Sequence, residues 1–113
     1  MDSETFNYLL ERRLGFTRSV LGYKAQEYAT NDDRLHNFKV AARVGNTTPK
    51  KALFNFMLKH LVSLMDFIDE PARATPLLID EKIGDLINYL ILLEALFKED
   101  IIEKMVDKNP KTV

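Results

Sequence analysis

Between Ile79 and Phe97 the residues Ile83, Leu86, Ile87, Leu90, Ile91, Leu92, Leu93, Leu96 and Phe97 recur at helical spacing, yet they cover nearly the whole circumference of the helix. A helix that is apolar all round belongs at the centre of a bundle or at a subunit interface. A chain of 113 residues would struggle to bury all of it alone, so a homo-oligomer is expected. An amphipathic extension carries the pattern through Val106, and the tail from about 107 to 113, with Asn109-Pro110, is expected to fray.

The rest of the chain also reads as helix, because no period-two strand pattern competes. Ser3 is the expected N-cap of a first helix whose apolar positions run Phe6, Leu9, Leu10, Leu14, Val20, Leu21 and Tyr28. Gly15 and Gly22 inside it predict a bend or a close approach of another backbone. The polar stretch 29–34 separates it from a short helix, Leu35 to Val44, closed by Gly45-Asn46. Thr48-Pro49 supplies a cap and a first-turn proline for a helix to Asp69, and 70–76 is the one clear linker. The expected architecture is a single all-α domain over residues 1–113, a bundle of four to five helices.

Composition removes several classes of function. With no cysteine the chain has no disulfide, thiolate zinc site, iron–sulfur cluster or cysteine nucleophile, and only His36 and His60 supply imidazole. No stretch has the roughly 20 apolar residues of a membrane span and no signal-like N-terminus is present, so a cytoplasmic protein is expected. The net charge of −1 hides a division: residues 1–60 carry ten Lys/Arg against six Asp/Glu, whereas 61–113 carry six against eleven. Such halves suit mutual packing, or a pocket where cations hold an anion and carboxylates hold a metal; unevenly charged solvated faces are the plain alternative. The absence of a basic excess argues against duplex nucleic acid as a partner.

Few side chains remain for chemistry. Glu81 and Asp85 stand four apart with Asn88 three further on, so a helix puts all three on one face, where two carboxylates can share a magnesium ion with a phosphate ligand. The same spacing also occurs on ordinary exposed helices. Lys59, Ser63 and Asp66 form another such face, with Lys59 a cation for phosphate and Asp66 an acceptor, or both simply paired with neighbouring helices. His60 falls on the apolar side and reads as a core or interface histidine. Lys24 and Glu27 share a face that points toward the 31–34 loop. There Arg34 suits a bidentate phosphate contact and Phe38, beside Asn37, a stacking surface for a base; as structural residues Asp32 or Asp33 would cap a helix and Asn37 would turn the chain. No glycine-rich phosphate loop, Ser/His/Asp order or helix-turn-helix signature is present.

In order and spacing, Lys24-Ala25-Gln26-Glu27-Tyr28, Asp33-Arg34-Leu35-His36-Asn37-Phe38, Lys59 with Asp66, and Glu81-Lys82-Ile83-Gly84-Asp85-Leu86-Ile87-Asn88-Tyr89 resemble a phage and bacterial group. This is the nucleotide modification associated domain, itself similar to the MazG-like all-α nucleoside triphosphate pyrophosphatases. The resemblance spans about residues 20–97. It implies an oligomeric bundle of four or five helices with a nucleotide site of helix-borne carboxylates and magnesium, in which Glu81 and Asp85 match the last core helix and Asn88 and Tyr89 the residues that follow. The dense Glu-Glu-x-x-Glu cluster of the pyrophosphatases is replaced here by Lys59, His60, Ser63 and Asp66, and Lys82 stands where a further acidic residue is often found. Hydrolysis of a phosphoanhydride needs charge neutralisation and a positioned water, commonly through magnesium held by several carboxylates. The expectation is therefore a protein that binds or sequesters a phosphorylated nucleotide with little turnover. A magnesium-dependent pyrophosphatase releasing monophosphate and pyrophosphate is the first alternative, and a ligand-free helical adaptor the second.

Overall fold

Side-chain oxygens placed just before each long helix set where it starts. The structure, a computed structural model, describes residues 1–24 and 33–108, the side chains at 23, 24, 107 and 108 excepted. Helix α1, Ser3–Arg18, is capped by Asp2 rather than Ser3: the Asp2 carboxylate accepts from the Thr5 amide at 2.7 Å. The chain then widens into a π-helical turn, Ser19–Lys24. Helix α2, His36–Val44, ends with Asn46 at φ 52°, and the Thr47 and Asn46 amides return to the Ala42 and Arg43 carbonyls. That is the six-to-one and five-to-two closure usually made around glycine, with Asn46 rather than Gly45 in the left-handed position.

Helix α3, Pro49–Asp69, has the expected Thr48 cap and Pro49 in its first turn. A single 3-10 turn, Pro71–Arg73, leads to α4, Pro76–Lys108. It begins three residues before Ile79 because Thr75-Pro76 repeats the Thr48-Pro49 device, the Thr75 hydroxyl accepting from the Leu78 amide. No strand occurs among the described residues, so the chain is all-α. No helix among them is long and apolar enough to cross a membrane.

Helices α3 and α4 run antiparallel, as the contacts Lys50 to Asp100 and His60 to Asp85 fix. The core lies between them and α2: Leu53, fully buried, is surrounded by Leu35, Phe38, Met57, Leu86 and Leu96, with Leu61, Leu64, Tyr89, Leu92 and Leu93 packed outside. Helix α1 adds no buried residue. It lies along the first half of α4 in the same direction, with Arg12 and Arg13 at Asp80 and Leu21 near Ile91 and Leu92. Neither Gly15 nor Gly22 marks a close approach, because a Cβ at either would meet nothing within 4 Å.

The charge division of the sequence is resolved by packing. Arg12 and Arg13 meet Asp80, Lys39 meets Glu99 as well as Asp33, and Lys50 meets Asp100, so cations of the first half tie α1, α2 and α3 onto the acidic last helix. Lys50 also lies over the Phe97 ring, 5.0 Å from its centroid. Of the residues that make α4 apolar all round, Leu86 and Leu96 are buried, whereas Leu90, Ile91 and Phe97 remain exposed in one chain.

Candidate functional site

Helix α1 touches α4 without closing on it, and a cleft of about 540 Å³ remains between them. That volume is in the range of small-molecule sites. Arg12, Arg13, Phe16, Thr17 and Val20 form the α1 wall, and Leu77, Asp80, Glu81, Gly84, Asp85 and Asn88 the α4 wall.

The α1 wall is held by charge. Arg12 donates to both Asp80 carboxylate oxygens at 3.0 and 2.9 Å, while Arg13 reaches the same carboxylate at 3.3 Å and the Asp80 carbonyl at 3.4 Å. Both guanidinium groups pack on Phe16, 4.6 and 5.9 Å from the ring centroid. Arg13 gains its position from Gly84, where a Cβ would come within 2.6 Å of the Arg13 Nη1. Two cations share one carboxylate on this wall, with Glu81 and Asp85 further along the cleft. Each guanidinium carries five N–H donors, of which Asp80 takes two, so donors remain for an incoming anion.

The α4 wall is acidic and partly unsatisfied. Glu81 lies 3.5 Å from the Lys82 amine. Asp85 lies 3.5 Å from Nδ1 of His60, which is 5% exposed, and His60 stacks at 5.7 Å on Tyr89. Among the described residues buried Asn88 Oδ1 has no hydrogen-bond partner, and buried His60 Nδ1 has no closer one than that Asp85 carboxylate. Orphaned buried polar atoms cost about 1–3 kcal/mol each and ask for an explanation. Burial, and after it the Asp85 charge, pushes the Tyr89 phenol above its ordinary value.

Of the residues picked out from the sequence, Glu81, Asp85 and Asn88 share this cleft, and Tyr89 lies behind it against the core. Lys59 and Asp66 are exposed on α3 and do not line it, and the Ser63 hydroxyl turns back to the Lys59 carbonyl. Arg34 donates to the Leu21 carbonyl beside a separate depression over Ile91 and Leu92, with Asn37 exposed nearby. Phe38 is corrected from a stacking surface to a core residue: it is buried, edge-on to Phe56 at 6.2 Å, and offers a base no open face. Glu27 and the Lys24 side chain lie outside the described residues. Sequence reading missed Arg12, Arg13, Phe16 and Asp80. Their signal was an Arg-Arg pair one turn before an aromatic, facing a third carboxylate one residue before Glu81.

The tie between α1 and α4 is acid-labile. The Arg12 hydrogen bonds, and then the Arg12 and Arg13 charges, hold the Asp80 carboxyl below its ordinary 3.8. A carboxyl depressed by folding contributes stability above its unfolded value and loses it as pH falls through the folded one. Below the ordinary carboxylate range α1, which buries no residue, should loosen before α3, whose Asp100 tie weakens too but whose Leu53 and Met57 stay packed in the core. Amide hydrogen exchange, corrected for intrinsic rate, should show α1 opening selectively at low pH, and Asp80→Asn should bring that opening to neutral pH. Equal protection of α1 and α3 in acid would refute it.

No protein-family model, curated protein or solved structure matches this chain.

Proposed function

We propose that the chain binds a phosphorylated nucleotide, or a nucleotide-derived signal, in the α1–α4 cleft with little turnover, and that it does so as a homo-oligomer. One observation carries the reading: two arginines and the Glu81, Asp85 and Asn88 face line one cleft of nucleotide size. Arg12 and Arg13 supply charge-assisted donors for phosphate. Asn88 lines the cleft, and its amide suits a polar group on the base or sugar.

Hydrolysis has less support. Asp80 is engaged by both arginines, and among the described residues no three His, Asp or Glu side chains converge as a metal site. Glu81 and Asp85 fit a magnesium ion only as one carried in with the phosphates, which would supply the remaining oxygens. Such an ion would neutralise phosphate charge. The protein's own part is then to grip the phosphates through Arg12 and Arg13.

The test is thermal stability with nucleoside mono-, di- and triphosphates and cyclic dinucleotides, with and without magnesium, followed by analysis of the recovered nucleotide. A true ligand at a hundredfold excess over its Kd adds about 2.7 kcal/mol. Arg13→Ala should weaken it by about 2 kcal/mol, roughly thirtyfold in Kd. Equal loss in Lys59→Ala would move the site to α3. Recovery of monophosphate and pyrophosphate, abolished by Asp85→Asn, would establish the pyrophosphatase instead, and no response to any nucleotide would leave the adaptor.

A further inference from the structure

Helix α1 extends beyond the helix it lies on. Arg12 and Arg13 already meet Asp80, in the second turn of α4, and the two helices run in the same direction, so with equal rise per residue the part of α1 before about Tyr8 projects past the α4 start at Pro76. All of residues 1–11 are exposed, and the stripe Phe6, Leu9, Leu10 and Leu14 is 58%, 42%, 44% and 38% exposed. These four recur at helical spacing on one side of α1. Helix α1 is well capped, yet its apolar side is left largely uncovered by the described residues.

We propose that α1 is the self-association element: its Phe6–Leu9–Leu10–Leu14 stripe packs on the same stripe of a second copy, the two helices antiparallel about a twofold axis. The proposal rests on the self-association put forward above and assigns the face. Charge favours a second copy, because the helix is acidic at its start, with Asp2 and Glu4, and basic at its end, with Arg18, whereas Arg12 and Arg13 are held at Asp80. Antiparallel pairing sets each acidic end on a basic end, twice, as a self-complementary contact requires. Parallel pairing would set like on like.

The absence of cysteine makes the test direct. In an antiparallel pair Leu10 lies near the axis, so the full chain carrying Leu10→Cys should form a disulfide dimer on mild oxidation. Tyr8→Cys, two positions earlier and about 160° round the helix, should not. The Leu10→Cys reaction should be at least about tenfold faster, since contact inside a complex acts as a millimolar effective concentration. Light scattering of the unmodified chain should give a multiple of 13.1 kDa. Leu10→Asp should reduce that mass to one copy with helical circular dichroism retained. A strict monomer from the unmodified chain would overturn both self-association and its face. An oligomer that survives Leu10→Asp and cross-links equally at positions 8 and 10 would overturn the α1 contact alone, and point to α3 or α4 or to association through another face.

Discussion

Leu53→Ala should lower the melting temperature of the protein by about 15 °C, followed by circular dichroism. Among the described residues Leu53 is the large side chain with no exposed surface, and it is enclosed by Leu35, Phe38, Met57, Leu86 and Leu96 from three segments of the chain. Truncating a buried leucine costs about 2–5 kcal/mol, because the transfer energy is lost and a cavity is left. At about 4–8 °C per kcal/mol for a domain near this size, the expected fall is large. The core has few other buried members to absorb it. Ile68→Ala, on the same helix at 71% exposure, should move the transition by under about 0.5 kcal/mol. A Leu53→Ala shift as small as that of Ile68→Ala would contradict the packing described.

Asn88→Leu should separate stability from binding. Its amide oxygen is buried and unpaired, so an apolar side chain of similar size removes a desolvation cost of about 1–3 kcal/mol. The ligand-free variant should therefore melt higher than the parent. Its response to a nucleotide that stabilises the parent should fall by at least about tenfold in Kd, since a hydrogen bond made only with ligand is gone. A variant that melts lower would mean that Asn88 already serves the fold, and unchanged affinity would remove Asn88 from the site.

Much of the helical order was legible because its signals are local. Thr48-Pro49 placed the start of α3, and the apolar spacing to Ile68 followed it to Asp69. The start of α4 at Pro76 carried the same signal in Thr75-Pro76, hidden by two prolines that read as a linker. Gly45 reads as the natural left-handed residue, but Asn46 takes that position because the closing amides come from 46 and 47. The site was half legible. Glu81, Asp85 and Asn88 share a face by spacing alone, whereas the arginines opposite them depend on how α1 lies on α4, a contact across more than sixty residues of sequence that no local pattern encodes. Phe38 was misplaced for a related reason: in a nine-residue helix one aromatic serves equally well for packing or stacking, and only the presence of Phe56 and Leu53 decides.

The lateness of α4 in the sequence has a consequence for birth on the ribosome. Leu86 and Leu96 come from α4, which is made after α1, α2 and α3, and all three attach to it. At the usual pace of about 5–20 residues per second, the nascent chain spends seconds with the α3 face that will hold Leu53 and Met57 still uncovered. Vectorial folding from the N-terminus has no finished substructure to build on. The fold should be completed only once α4 has emerged, so rare codons within the α4 coding region would lengthen the interval in which chaperones or neighbouring nascent chains can reach that face.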